Sequence, residues 1–220
     1  MFYADPAQFD PAFAERLLPL LPLEKQTALQ SVRHARSRRE SLLGWGLLVF
    51  AWRLSAPNTP LPPLSFAERG KPFFKSGALH FNLSHTDTLV CLALSETGKI
   101  GVDAQTPKNP SDALVRKVLT PAERAVYAAA DDKAMCFTRF WTQKEALVKQ
   151  TGEGLSRGFD TLDFAPFAGQ DSFSAFGCDF LSETLCGAAV TQCAEHLPSA
   201  VSCAVTQAQM EKVLFFEKDG

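Results

Sequence analysis

No run of about 20 uncharged apolar residues occurs in the 220-residue chain, so no membrane-spanning helix is expected. Charge of one sign is also missing: Lys and Arg total 22 against 24 Asp and Glu, a formal net charge of −2. That balance removes any global case for a nucleic-acid partner or a charged membrane surface, and an anion site must therefore be local. The six cysteines, at 91, 136, 178, 186, 193 and 203, form no Cys-x-x-Cys pair and no zinc-like grouping with His34, His80, His85 or His196. Reduced thiols are the expected state. The opening MFYADPAQFD has no basic start followed by an apolar run, and the expectation is a cytoplasmic protein that is not exported. Hydrophobic residues make up 46% of the chain, ample for a large core.

Helical and extended signals alternate along the chain. Asp10-Pro11 reads as a helix cap and first turn, and Pro19 and Pro22 interrupt the leucines of 17–23. From Glu24 to Ser55 there is no proline, and Leu29, Val32, Ala35, Leu42, Leu43, Leu47, Phe50 and Leu54 recur at roughly helical spacing, which predicts one long helix. Arg33, His34, Arg36, Arg38 and Arg39 precede its apolar half, either as a solvated basic face or as a phosphate site. Gly70-Lys71-Pro72 is a turn signal. Residues 78–83, 88–94 and 100–103 read as short strands, and the brief link between the last two predicts an antiparallel hairpin. Thr120-Pro121-Ala122-Glu123 is a capping box, Asp131 or Asp132 starts a further helix, and Gly152 with Gly154 stops it. Strands are expected at 160–164, 185–191 and 201–206. The order argues for an α+β fold with antiparallel sheet rather than a doubly wound one.

The richest stretch is 140–155, FWTQKEALVKQTGEGL. On a helix Trp141, Glu145 and Lys149 follow one another at intervals of four and line one stripe. Alone, Glu145 and Lys149 read as a surface pair worth ~0.3–0.5 kcal/mol. Phe137, Phe140, Trp141, Leu147 and Val148 form the apolar face, however, which puts Glu145 at the border of the core, where a carboxylate is costly without a cation. Asp103 stands at a strand exit, a turn-capping aspartate or a second carboxylate for the same cleft. Two converging carboxylates are the minimum that Mg²⁺ asks of a protein, since it keeps several waters and takes phosphate oxygens for the remainder.

Taken together, Gly70-Lys71-Pro72, Phe81-Asn82-Leu83-Ser84-His85, Ile100-Gly101-Val102-Asp103 and the run from Trp141 to Lys149, followed by Gly152-Glu153-Gly154-Leu155, resemble the ordered motifs of the 4′-phosphopantetheinyl transferases. The likeness is to the larger single-chain, Sfp-type branch, and it covers roughly residues 70–155. It implies two pseudo-twofold-related α+β halves, residues 1–102 and 103–220, with antiparallel sheets packed by helices and the active site between them. It also implies a monomer with an internal pseudo-dimer. The implied reaction moves the phosphopantetheine arm from coenzyme A to a serine of an apo acyl, peptidyl or aryl carrier protein and releases adenosine 3′,5′-bisphosphate.

By the same resemblance, Glu145 and Lys149 are the catalytic pair and Asp103, Gln105 and Glu145 the ligands of Mg²⁺, with Mn²⁺ as an alternative ion. Lys71, Ser84, His85, Lys144 and Lys149 would hold coenzyme A, and Arg36 or Arg39 would take a phosphate. Lys149, one turn from Glu145, is expected to keep that carboxylate ionised. Two departures stand out. Gln105 replaces a second acidic residue, and Glu40 replaces an arginine often found four residues before the helix glycine. They motivate an alternative reading, a homologue that binds coenzyme A or a carrier protein without turnover.

Overall fold

The computed structural model describes residues 1–57, 59–77, 79–152, 158–197 and 202–215. Its framework is two long helices, each packed on a mainly antiparallel sheet. In the first half, α1 (Pro11–Arg16) and α2 (Leu23–Gln30) lead into α3 (Ala35–Ser55). Leu42, Leu43, Leu47, Leu48 and Phe50 of α3 are buried against Val90 and Leu92 of β5 (Val90–Ser95) and Phe81 of β4 (His80–His85). The sheet order is β10 (Cys203–Ala204), β1 (Phe2–Ala4), β5, β4, with β1 and β10 parallel and the other pairs antiparallel. Strands β2 (Leu64–Phe66) and β3 (Pro72–Phe74) form a separate hairpin.

The second sheet runs β6 (Ile100–Gln105), β9 (Ala188–Ala194), β8 (Cys178–Leu185), β7 (Ser172–Ala175), antiparallel throughout. Helix α6 (Lys133–Thr151) packs on it, burying Phe137, Phe140, Leu147 and Val148 with Phe159, Phe164 and Phe180. Helices α4 (Asp112–Val118) and α5 (Pro121–Ala129) precede it. The Thr120 capping box, the Asp132 cap of α6 and the left-handed Gly152 at its end all form as the sequence predicts.

Strand β5 is buried on both faces: Val90 and Leu92 pack toward α3, while Cys91 and Ala93 join Ile100, Val102 and Ala104 of β6 in a further cluster. The expected hairpin of β5 and β6 therefore does not form. Each strand enters a different sheet, and the link across Glu96–Lys99 carries the chain from one to the other. Where the sheets meet, side chains of β4 replace a ladder: Asn82 Oδ1 accepts from Val102 N at 2.8 Å and Ser84 Oγ from Ala104 N at 3.1 Å.

Other expectations change as well. The predicted long helix breaks at residues 31–34, where Ser31 Oγ turns back to the Ala28 carbonyl at 2.7 Å and Arg38 donates to the Leu29 carbonyl. Residues 160–164 are not a strand but lie in and after a 3-10 turn, Phe159–Thr161, because Asp163 caps Ala165 N and Glu123 accepts from Phe164 N. The expected strand 185–191 straddles a turn at Cys186 and Gly187, both with positive φ, between β8 and β9. Of 201–206, only Cys203–Ala204 is strand among the described residues, and Thr206 caps a further helix, α7 (Gln207–Leu214). Met210 and Leu214 of α7 bury into the α3 core, so the chain returns to its first half.

Candidate active site

Gly101 sets the position of the site. A Cβ there would stand 2.0 Å from the Ala146 carbonyl oxygen and 2.5 Å from Gln150 N, so the backbone of α6 rests directly on β6. That approach brings Lys149 of α6 to Asp103, two residues along the strand on the same face as Gly101. Lys149 Nζ donates to Asp103 Oδ1 at 2.6 Å and to Ser84 Oγ at 3.2 Å. Ser84 in turn donates to Asp103 Oδ1 at 3.2 Å. Asp103 Oδ2 is buried and meets no hydrogen-bond partner among the described residues by distance and angle, although the neighbouring Ala104 N–H helps to hold the charged form of the carboxylate.

Burial pushes the Asp103 carboxyl above its ordinary range, and the Lys149 ammonium and the Ser84 hydroxyl only partly offset this. Glu145 is also raised, first by burial and then by the charge of Asp103, with Lys149 opposing. Lys149 acts in the expected direction, lowering the Glu145 pKa, but desolvation and the neighbouring carboxylate outweigh it and the net shift is upward. Glu145 and Lys149 line a cavity of about 270 Å³ with Arg69, Lys71, Asn82 and Gly152. Asn82 was not singled out in the sequence, although its i, i+2 spacing from Ser84 puts both on one face of β4.

The other expected site residues fall into two groups. Lys71 is at the cavity, with its ammonium donating to the carbonyls of Ile100 at 2.9 Å, Lys149, and Gln150 at 3.4 Å. Lys144 is elsewhere. It is fully buried, 2.5 Å from Glu123 Oε2, and donates to the carbonyls of Val118 at 2.7 Å and Phe159 at 2.9 Å. Its helical offset of one residue from Glu145 turns it toward α5 rather than the cleft, which corrects its assignment to coenzyme A. Gln105 half-lines a groove with Trp141 and Leu114, and its Nε2 lies 3.5 Å from the Thr106 carbonyl. Trp141 packs edge-on against Phe159.

At the end of β4 a polar cluster gathers instead of a free basic face. Arg36 pairs with Glu40 at 3.0 Å and with Asp87 at 3.4 Å, and His85 Nε2 lies 3.8 Å from Glu40. Arg39 donates to the Pro6 carbonyl at 2.7 Å, while its Nε is buried without a partner.

Among the described residues no group of three or more His, Cys, Asp or Glu side chains gathers as a metal cage. Glu145 is the carboxylate that lines the cavity, and the buried Asp103 behind Lys149, whose Oδ2 accepts no hydrogen bond from the described residues, is the observation that bears on a cation. Carboxylate oxygens are donors of the kind that Mg²⁺ takes together with water and phosphate.

Residues 99–204 match the 4′-phosphopantetheinyl transferase superfamily. Over that stretch, about half of its length, the chain is similar to this superfamily. The 4′-phosphopantetheinyl transferase AcpT of Salmonella typhimurium (strain LT2) is 39% identical over 104 residues, 45% of this chain and 54% of that protein. AcpT of Escherichia coli (strain K12) is 36% identical over 139 residues, 61% of this chain and 66% of that one. The 4′-phosphopantetheinyl transferase Sfp of Bacillus subtilis (strain 168) is 27% identical over 153 residues, 67% of each. The chain spans about half the length of the Salmonella relative that it matches, 54%. The superfamily match begins one residue before β6 and ends with β10, so it includes Asp103, Glu145 and Lys149 but not Lys71 or Ser84.

Proposed function

We propose that this protein transfers the 4′-phosphopantetheine arm of coenzyme A to a serine hydroxyl of an apo acyl, peptidyl or aryl carrier protein, releasing adenosine 3′,5′-bisphosphate. The observation that carries the reading is the Asp103–Lys149 pair beside Glu145, with one Asp103 oxygen buried and unanswered. In the reaction the serine oxygen bonds to the phosphorus of the arm and the bond to the departing nucleotide phosphate breaks. Glu145, held above its ordinary pKa by burial, receives the serine proton. Lys149 supplies a fixed positive charge to the phosphoryl oxygens without reorganising. Ser84 and Asn82 brace β4 against β6 so that this charge stays in place. Asp103 and Glu145, with the Gln105 carbonyl or a water as a further donor, would hold Mg²⁺ or Mn²⁺, which would supply neutralisation of charge on the transferring phosphoryl group.

Purified protein incubated with coenzyme A, Mg²⁺ and a panel of apo carriers is expected to add the arm's mass to at least one carrier, read by intact mass spectrometry. A panel left entirely unmodified would sink this reading. A second reading has its own support, because Glu40 and Asp87 already occupy Arg36, and Gln105 is neutral. Under it, coenzyme A would raise the melting temperature while no carrier gained mass.

A further inference from the structure

The ammonium of Lys71 has three protons and meets three main-chain carbonyls, those of Ile100, Lys149 and Gln150. Its donors are matched one for one, and none remains for a phosphate oxygen. Two of the acceptors belong to the last turn of α6, where carbonyls lack partners within the helix and carry partial negative charge. The third, Ile100, opens β6. Lys71 itself lies just ahead of β3, in the turn of the β2–β3 hairpin. One side chain therefore ties that hairpin to both elements that carry the site. The clamped carbonyl is that of Lys149, whose own side chain reaches Asp103 and Ser84.

We infer that Lys71 is a positioning residue, which fixes the last turn of α6 and so aims Lys149 at Asp103, rather than a ligand of the donor's phosphates. The inference rests on the transferase reading for its kinetic consequence and on the clamp alone for its structural one. Burial lowers the Lys71 pKa to about 8, as a cation held by neutral carbonyls rather than by an anion would show.

The test compares wild type, Lys71→Met and Lys71→Gln. Carrier modification is followed with coenzyme A varied, and melting is followed with and without coenzyme A and Mg²⁺. Positioning predicts that Lys71→Met lowers kcat by about tenfold or more while KM for coenzyme A stays within about threefold. The stabilisation by coenzyme A should be retained. Lys71→Gln, whose amide has two donors for the same carbonyls, should fall between, and it carries the same split if Lys71→Met does not fold. A KM raised about tenfold with kcat retained, or loss of the coenzyme A-induced melting shift, would overturn the inference. If wild type modifies no carrier, the transferase reading fails separately. Melting without ligand then decides the clamp: a lower midpoint for Lys71→Met supports it, and an unchanged one overturns it.

Discussion

Helix α6 carries two lysines five residues apart, each facing a carboxylate. Lys144 and Glu123 are both 0% exposed, and every polar atom of the pair is answered. Two carbonyls complete the ammonium, while Glu123 Oε2 accepts from Thr120 N at 2.8 Å and Oε1 from Phe164 N at 2.9 Å. Lys149 is 28% exposed, and its partner Asp103, at 9%, keeps one buried oxygen that no hydrogen-bond donor among the described residues reaches. A pair closed in this way joins α5, α6 and the 159–164 turn and has nothing left to offer a ligand. The open pair leaves a buried acceptor unmatched where the closed pair matches every one.

Breaking the closed pair should have the largest effect on stability. Lys144→Ala leaves the Glu123 carboxylate buried without its cation and is expected to cost ~3–5 kcal/mol, read by urea unfolding. Removing both charges while keeping an acceptor for Thr120 N and Phe164 N, Lys144→Met with Glu123→Gln, should recover part of that loss. KM for coenzyme A in the folded double variant should match wild type, because neither side chain reaches the cleft. A raised KM would return Lys144 to the donor site.

Gly101→Ala attacks the open pair through its support. The added methyl meets helix backbone, which cannot rotate away as a side chain would. Overpacking typically costs ~1–3 kcal/mol, and the cost here should lie at the upper end. Since relief requires α6 to lift from β6, carrier modification should fall further than the unfolding midpoint alone explains. Wild-type activity in a fully folded Gly101→Ala protein would contradict this account of how Lys149 is placed.

A smaller, opposite effect distinguishes site from scaffold. The raised pKa of Glu145 means that the folded protein holds that proton more tightly than the unfolded chain does. The resulting stability is fully present below the ordinary value of 4.5 and is lost as pH rises through the raised one. At neutral pH without metal, Glu145→Gln should therefore melt slightly higher than wild type, by ~2 °C, although it loses carrier modification. The difference should vanish below pH 4.5, where both side chains are neutral. A lower melting point for Glu145→Gln at neutral pH would mean that the carboxylate stabilises the fold.

Much of the site was legible because it depends on local chemistry. Asp103 on a strand and the Glu145–Lys149 spacing need only the periods of strand and helix, although β6 runs two residues past Asp103 to Gln105 rather than ending there, and the Thr120, Asp132 and Gly152 caps need only their own backbones. What depends on distant segments was not. No local signal sends β5 and β6 into different sheets, since their burial on both faces arises from the meeting of the two halves. Lys144 reads as a ligand of coenzyme A until Glu123, 21 positions earlier, is known to face it. The 160–164 segment reads as a strand until Glu123 is seen to cap the loop at Phe164. Helix α7 announced itself only through the Thr206–Gln209 capping box, which is readable in principle.

Arg36 offers the finest test, as a third cation that faces carboxylates. At 63% exposure its pairs with Glu40 and Asp87 should contribute no more than ~0.5 kcal/mol, so Arg36→Ala should leave unfolding nearly unchanged. The functional consequence separates two accounts of the basic run. If Arg36 leaves its carboxylates to bind a phosphate of coenzyme A, Arg36→Ala must raise KM, and more at low salt than at high. Two carboxylates against one guanidinium make the cluster a poor anion site, and the expected change in KM is less than about threefold at either ionic strength. Glu40→Ala then completes the argument: with one carboxylate gone, Arg36 and His85 are released toward an anion, and affinity for coenzyme A should rise.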